Sequence, residues 1–195
     1  MKTISNRIIR KFKPCYDPSE VVSDESEELT VIEWVNKYRD LVHNKADIIW
    51  LLCNKHFMTD KDMRLFAVWC AREALKLVDN PDARSINACD VAERYANGEA
   101  TEEELSAAQA ASWDAARAAS RADAAWAAQA AAQAAAQAAS WDAARAASWA
   151  AAQSAAQAAA QAASWAAAQS AAFWAAQAAQ AAQAAQIDKL LTYFK

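Results

Sequence analysis

The sequence predicts an all-α fold, a helical bundle whose second half is an alanine-rich, tryptophan-studded repeat. Glycine occurs once and proline three times in 195 residues, whereas sheet-rich chains need turn residues every ~10 positions. Apolar residues between 30 and 98 recur at three-to-four spacing, the period of one helical face. From Ser106 to Gln186 alanine and glutamine, both strong helix formers, dominate.

Residues 1–29 open on the basic run Arg7, Arg10, Lys11 and Lys13, pass Pro14 and Pro18, and end in the acidic Ser23–Glu28 stretch. That composition predicts an irregular N-terminal arm with solvated charges. Residues 30–98 then read as four helices. Thr30-x-x-Glu33 forms a capping box, and Val31, Trp34, Val35, Tyr38, Leu41 and Val42 follow on one face. Asn44 and Asp47 cap a short second helix, Ile48–Cys53, that is apolar nearly all round. Thr59-Asp60-Lys61-Asp62 starts a third, which carries Met63, Phe66, Val68, Trp69, Cys70, Leu75, Leu77 and Val78. It reads as the central core helix, ending at Asn80-Pro81 because proline cannot continue the ladder. The fourth presents Ile86, Cys89, Ala92 and Tyr95 and stops at Asn97-Gly98, where glycine takes the left-handed cap conformation cheaply.

Residues 101–195 begin with a second capping box, Thr101-x-x-Glu104, and run into a degenerate tetrad of three small residues and one large. Ser112-Trp113-Asp114-Ala115-Ala116-Arg117 recurs as Ser140-Trp141-Asp142-Ala143-Ala144-Arg145. Four residues turn a helix by about 400°, so successive large residues drift about 40° around the cylinder. One straight helix would wind them in a spiral, so several shorter helices packed on each other are expected, with breaks at Ser112 and Ser140 acting as N-caps. The alternative is a single rod of about 120 Å. A short apolar end follows: Ile187, Leu190, Leu191, Tyr193 and Phe194.

A net charge of −4 gives no electrostatic reason for nucleic acid to be the main partner. The first residues lack the apolar core of a signal peptide, and no uninterrupted apolar run of about 18 residues occurs. No membrane partner is expected, and the cytoplasm of a bacterial host cell is the expected location. The four cysteines, Cys15, Cys53, Cys70 and Cys89, form no CxxC and read as small buried hydrophobes in a reducing compartment.

Chemistry-bearing constellations are few. Cys53 and His56 sit three apart on one expected helix, which is half of a zinc site or of a thiol–base pair, but no second pair completes it. Asp60/Asp62 and Glu102/Glu103/Glu104 lie at helix starts, where acidic residues favour the dipole. A chain with one glycine builds no phosphate loop. No catalytic residue, metal ligand or cofactor is therefore expected. The sharper idea is a ligand clamp in the tract: Trp113, Trp126, Trp141, Trp149 and Trp165 beside Arg117, Arg121 and Arg145 suit a planar anionic, nucleotide-like molecule. The plainer reading makes these tryptophans the knobs of a thin alanine core and leaves the arginines solvated.

The segments Arg64–Leu75, Asp82-Ala83-Arg84-Ser85-Ile86 and Ala92–Glu99, followed by the alanine tract, resemble the Imm-five-like family of immunity proteins of bacteria, phages and mobile elements. The resemblance covers roughly 60–187 and implies a non-enzymatic helical protein that neutralises an effector. The tract departs from the family in carrying Trp and Gln where others place His and Gly. The expected function is accordingly binding of an effector or defence protein, as in immunity or phage counter-defence. The alternatives are sequestration of a small nucleotide-like signal and a structural helical rod, with homo-oligomerisation open.

Overall fold

The computed structural model describes residues 2–77, 80–119 and 170–195, with side chains as far as Ala115 in the second stretch and from Ala178 in the third. Within them the fold is all-α: seven helices and one two-stranded antiparallel sheet of two residues per strand.

The strands, β1 (Thr3–Ile4) and β2 (Leu29–Thr30), pair Thr3 with Thr30 and Ile4 with Leu29. Between them α1 (Asn6–Lys11) and a 3-10 turn (Pro18–Glu20) fold back. The segment expected as an irregular arm is thus part of the core. Ile4, Ile8 and Ile9 are buried, and the Asn6 amide donates to the Val22 carbonyl at 2.7 Å. Its charges stay outside, and Arg10 is held by Asp17 at 3.2 Å and by Glu25 at 2.6 Å. Few apolar residues suffice here because their spacing places them on one side, while prolines and charges dominate the composition.

Helix α2 (Val31–Tyr38) starts at the expected capping box, with Thr30 and Glu33 bonding reciprocally. Asn44 caps α3 (Lys45–Leu52) by accepting from the Ala46 N–H at 3.1 Å. Thr59 caps α4 (Asp60–Leu75), accepting from the Asp62 N–H at 3.1 Å. This helix ends earlier than expected: the Leu77 N–H already bonds the Ala74 carbonyl, Leu77 lies beyond the end, and Val78 is outside the described residues. Asp82 caps α5 (Ala83–Ala96), which closes on Gly98 at φ 77°. Thr101 and Glu104 then form the second capping box, opening α6 (Glu102–Ala119).

No break occurs at Ser112. Helix α6 runs through it and buries its side chain completely. A small residue within an alanine-rich run continues a helix when nothing draws its backbone into a turn. The second expected cap, Ser140, and the packing of the tract between α6 and α7 lie outside the described residues. Helix α7 (Ser170–Leu191) brings the chain back, followed by a 3-10 turn (Thr192–Phe194).

Two apolar clusters result, and α4 serves both. Met63, Phe66 and Cys70 join the first, with Ile4, Ile9, Trp34, Val35, Ile48, Ile49, Leu51 and Leu52, and Ile187 and Leu190 of α7 close it. Ala67, Val68, Ala71 and Leu75 join the second, with Ala88, Cys89, Val91 and Ala92 of α5 and Leu105 and Ala108 of α6. At about 100° per residue the two sets point about 120° apart around α4, so a central helix is what the sequence requires. Arg72 braces the second unit, reaching Asp90 at 2.8 Å and Glu93 at 2.6 Å.

Candidate functional site

Three of the four thiols are buried in these clusters. Burial pushes Cys53 and Cys70 well above the ordinary thiol range and Cys89 to about 12, which suppresses the thiolate needed for nucleophilic attack. Cys15 departs from the expectation: it is exposed, in the loop between α1 and the 3-10 turn. A residue flanked by Pro14 and Tyr16 outside any helix has no apolar face to join.

Cys53 and His56 do not share a helix. The α3 ladder stops at Leu52, Cys53 turns inward, and His56 is exposed against Phe12 and Phe57, at centroid distances of 5.8 and 4.8 Å. Asn54 drives the turn by accepting from the His56 N–H at 3.1 Å, a local competition with helix that such side chains favour. Among the described residues no group of His, Cys, Asp and Glu has metal-binding geometry.

The carboxylates flagged by sequence sit at caps and in pairs. Asp62 meets Thr59 and Asp60 meets Lys55, at 2.6 and 3.2 Å. Glu102 accepts from the Tyr95 hydroxyl at 2.8 Å, and Glu104 from the Thr101 N–H at the same distance. The Arg64 guanidinium lies 4.9 Å over the Tyr95 ring, so this end of the α4–α6 unit is cross-linked by polar contacts.

Of the tract residues expected to clamp a ligand, Trp113 is placed on α6, half-buried, and Arg117 is placed there by its backbone alone. Arg121, Trp126, Trp141, Arg145, Trp149 and Trp165 lie outside the described residues.

The opposite end of the α4–α6 unit carries what sequence reasoning missed. Leu77 and Ile86, both expected in the core, are 61% and 43% exposed. Arg72 pairs with Asp90 and Glu93 and a short connection follows α4, so the end of α4 and the start of α5 lie at the same level. The charge of Asp114 acts on Arg84, which brings Trp113 and its neighbour to that end too. The signal was present in the period. Ile86, Cys89, Ala92 and Tyr95 are spaced by three, so each step lags by about 60° and the first and last stand about 180° apart. The face that packs is Ser85, Ala88, Cys89 and Ala92, and it leaves Ile86 outside.

No helix of the described residues is long and apolar enough to cross a membrane. Set against protein-family models, curated proteins and solved structures, the chain finds no match in any of the three.

Proposed function

We propose that this protein works by binding, occupying a partner protein in the manner of an immunity or phage counter-defence protein that neutralises an effector. The observation that carries this reading is the end of the α4–α6 unit, where Leu77, in the turn just after α4, and Ile86, on the first turn of α5, stand exposed, at the end that also carries the half-buried Trp113 of α6. Exposed apolar groups gathered on a braced scaffold are the usual anchors of a protein interface. The chemistry of the described residues supports the same direction: Cys53, Cys70 and Cys89 are buried where the thiolate is disfavoured, and the flagged carboxylates serve caps and ion pairs. A bacterial cytoplasm is the proposed setting, since buried free thiols suit a reducing compartment.

The test is a comparison of the chain with its Leu77→Asp/Ile86→Asp double variant, both produced in a bacterial host and examined by native mass spectrometry. A stoichiometric protein partner retained by the first and lost at least tenfold by the second, with helicity unchanged, supports the reading. A partner held equally by both moves the interface elsewhere and removes its present basis. A mass excess matching a small molecule instead would replace it with sequestration of a ligand.

A further inference from the structure

The C-terminal end of α7 and the 3-10 turn after it close the first cluster over a short stretch of chain, with Leu191, Tyr193 and Phe194 packed half-buried against it. Ile187 and Leu190 are fully buried, whereas the side chains from Ala178 to Ala185 are alanines and glutamines that are exposed or half-buried. At the rim the Arg39 guanidinium donates to Asp188 at 2.8 Å, an ion pair open to water and salt. Inside, Gln186 is 5% exposed, and its Oε1 is buried without a hydrogen-bond partner. Its side chain meets the Cys70 thiol, and Cys70 and Cys53 are near enough to feel each other's charge. An orphaned buried carbonyl oxygen regains its hydrogen bonds when water reaches it, so this group favours release of the element that carries it.

We propose that the end of α7 is a detachable latch over Cys53 and Cys70, which opens while the α4–α6 unit stays closed and so makes this thiol pair a conditional modification site. The two clusters divide the cysteines accordingly. Cys53 and Cys70 lie in the cluster that α7 completes, and Cys89 lies in the other, between α4, α5 and α6. Among the described side chains of α7 only Ile187 and Leu190 are fully buried apolar groups, and local opening with a free energy below that of global unfolding is general for elements with few of these.

N-ethylmaleimide on the full chain reads this directly. The thiolate adds to the alkene, a sulfur–carbon bond replaces the π bond, and a proton completes the neighbouring carbon, so no other reactant is needed. Residue-resolved mass spectrometry then gives four rates. Cys15 reacts first, and Cys53 and Cys70 react at least about tenfold faster than Cys89, as expected where local opening precedes global unfolding. Arg39→Ala raises the pair's rates severalfold and leaves Cys89 unchanged, and Leu190→Asp removes the pair's protection while Cys89 keeps its own. A common rate for the three buried thiols, or Cys89 ahead of the pair, overturns the proposal. So does acceleration of the pair by Arg10→Ala but not by Arg39→Ala, which would make the N-terminal segment the gate. If Leu190→Asp unfolds the whole chain, the unmodified sequence and the two arginine variants still decide.

Discussion

Lys13 follows α1 at φ 54°, a left-handed conformation in which its Cβ crowds the backbone, and Pro14 further restricts it. Glycine is free of the first penalty, so Lys13→Gly is expected to stabilise the fold by up to ~1 kcal/mol in urea unfolding, net of the entropy glycine loses. The capping carboxylates make stability depend on pH. Hydrogen bonds from Thr30 hold Glu33 below its ordinary 4.5, the Thr101 N–H does the same for Glu104, and Arg84 holds Asp82 below 3.8. Groups depressed in the folded state stabilise it above their unfolded values and lose that contribution as pH falls through the folded ones. The urea midpoint is therefore expected to be level above about pH 5 and to decline below 4.5, with the decline blunted in Thr30→Ala. Caps such as Thr30, Asn44, Thr59 and Thr101 were legible in the sequence because each acts on its own next turn. Exposure was not: Cys15 and Ile86 depend on what lies across from them.

Helix starts are legible in the sequence where helix ends are not. The firm helix starts carry side-chain caps, whereas α4 ends where its ladder loosens at Lys76, several residues before the proline that only forbids continuation. The N-terminal segment was misread because charge and proline outnumber the three isoleucines that dock it. The apolar C-terminal end was recognised as a unit, but its destination was not, since nothing local names α3 and α4 as its seat. That seat sets its worth. Ile187→Ala removes a fully buried side chain and is expected to cost about 2–4 kcal/mol in equilibrium unfolding, the range for such truncations. An effect under ~1 kcal/mol would mean that α7 adds little to the first cluster.

Over the whole molecule, cooperativity rests on α4, whose two faces belong to different clusters. Phe66→Ala, in the first cluster, is expected to cost about 3–5 kcal/mol and to lower the unfolding midpoint of α5 and α6 together with that of α2 and α3. Hydrogen exchange resolved by segment is the measurement; if α5 and α6 keep their protection, the clusters are independent domains. The all-α class and the central place of α4 followed from composition and period alone. The division into two clusters did not, because it needs the pairing of faces far apart in sequence, and the path of the tract between α6 and α7 lies outside the described residues.

The closing of the first cluster by Ile187 and Leu190 also imposes an order on synthesis. Most of that cluster's apolar wall, from Ile4 to Cys70, leaves the ribosome early, yet the residues that seal it are more than a hundred positions downstream. The α4–α6 unit has all its parts once Ala119 has emerged and can close while the rest of the tract is still being translated. Its neighbour must wait, half-built and apolar, until Ile187 and Leu190 have been made. A nascent chain halted within the tract would therefore hold one finished unit and one open one, an apolar surface of the kind that chaperones and proteases recognise.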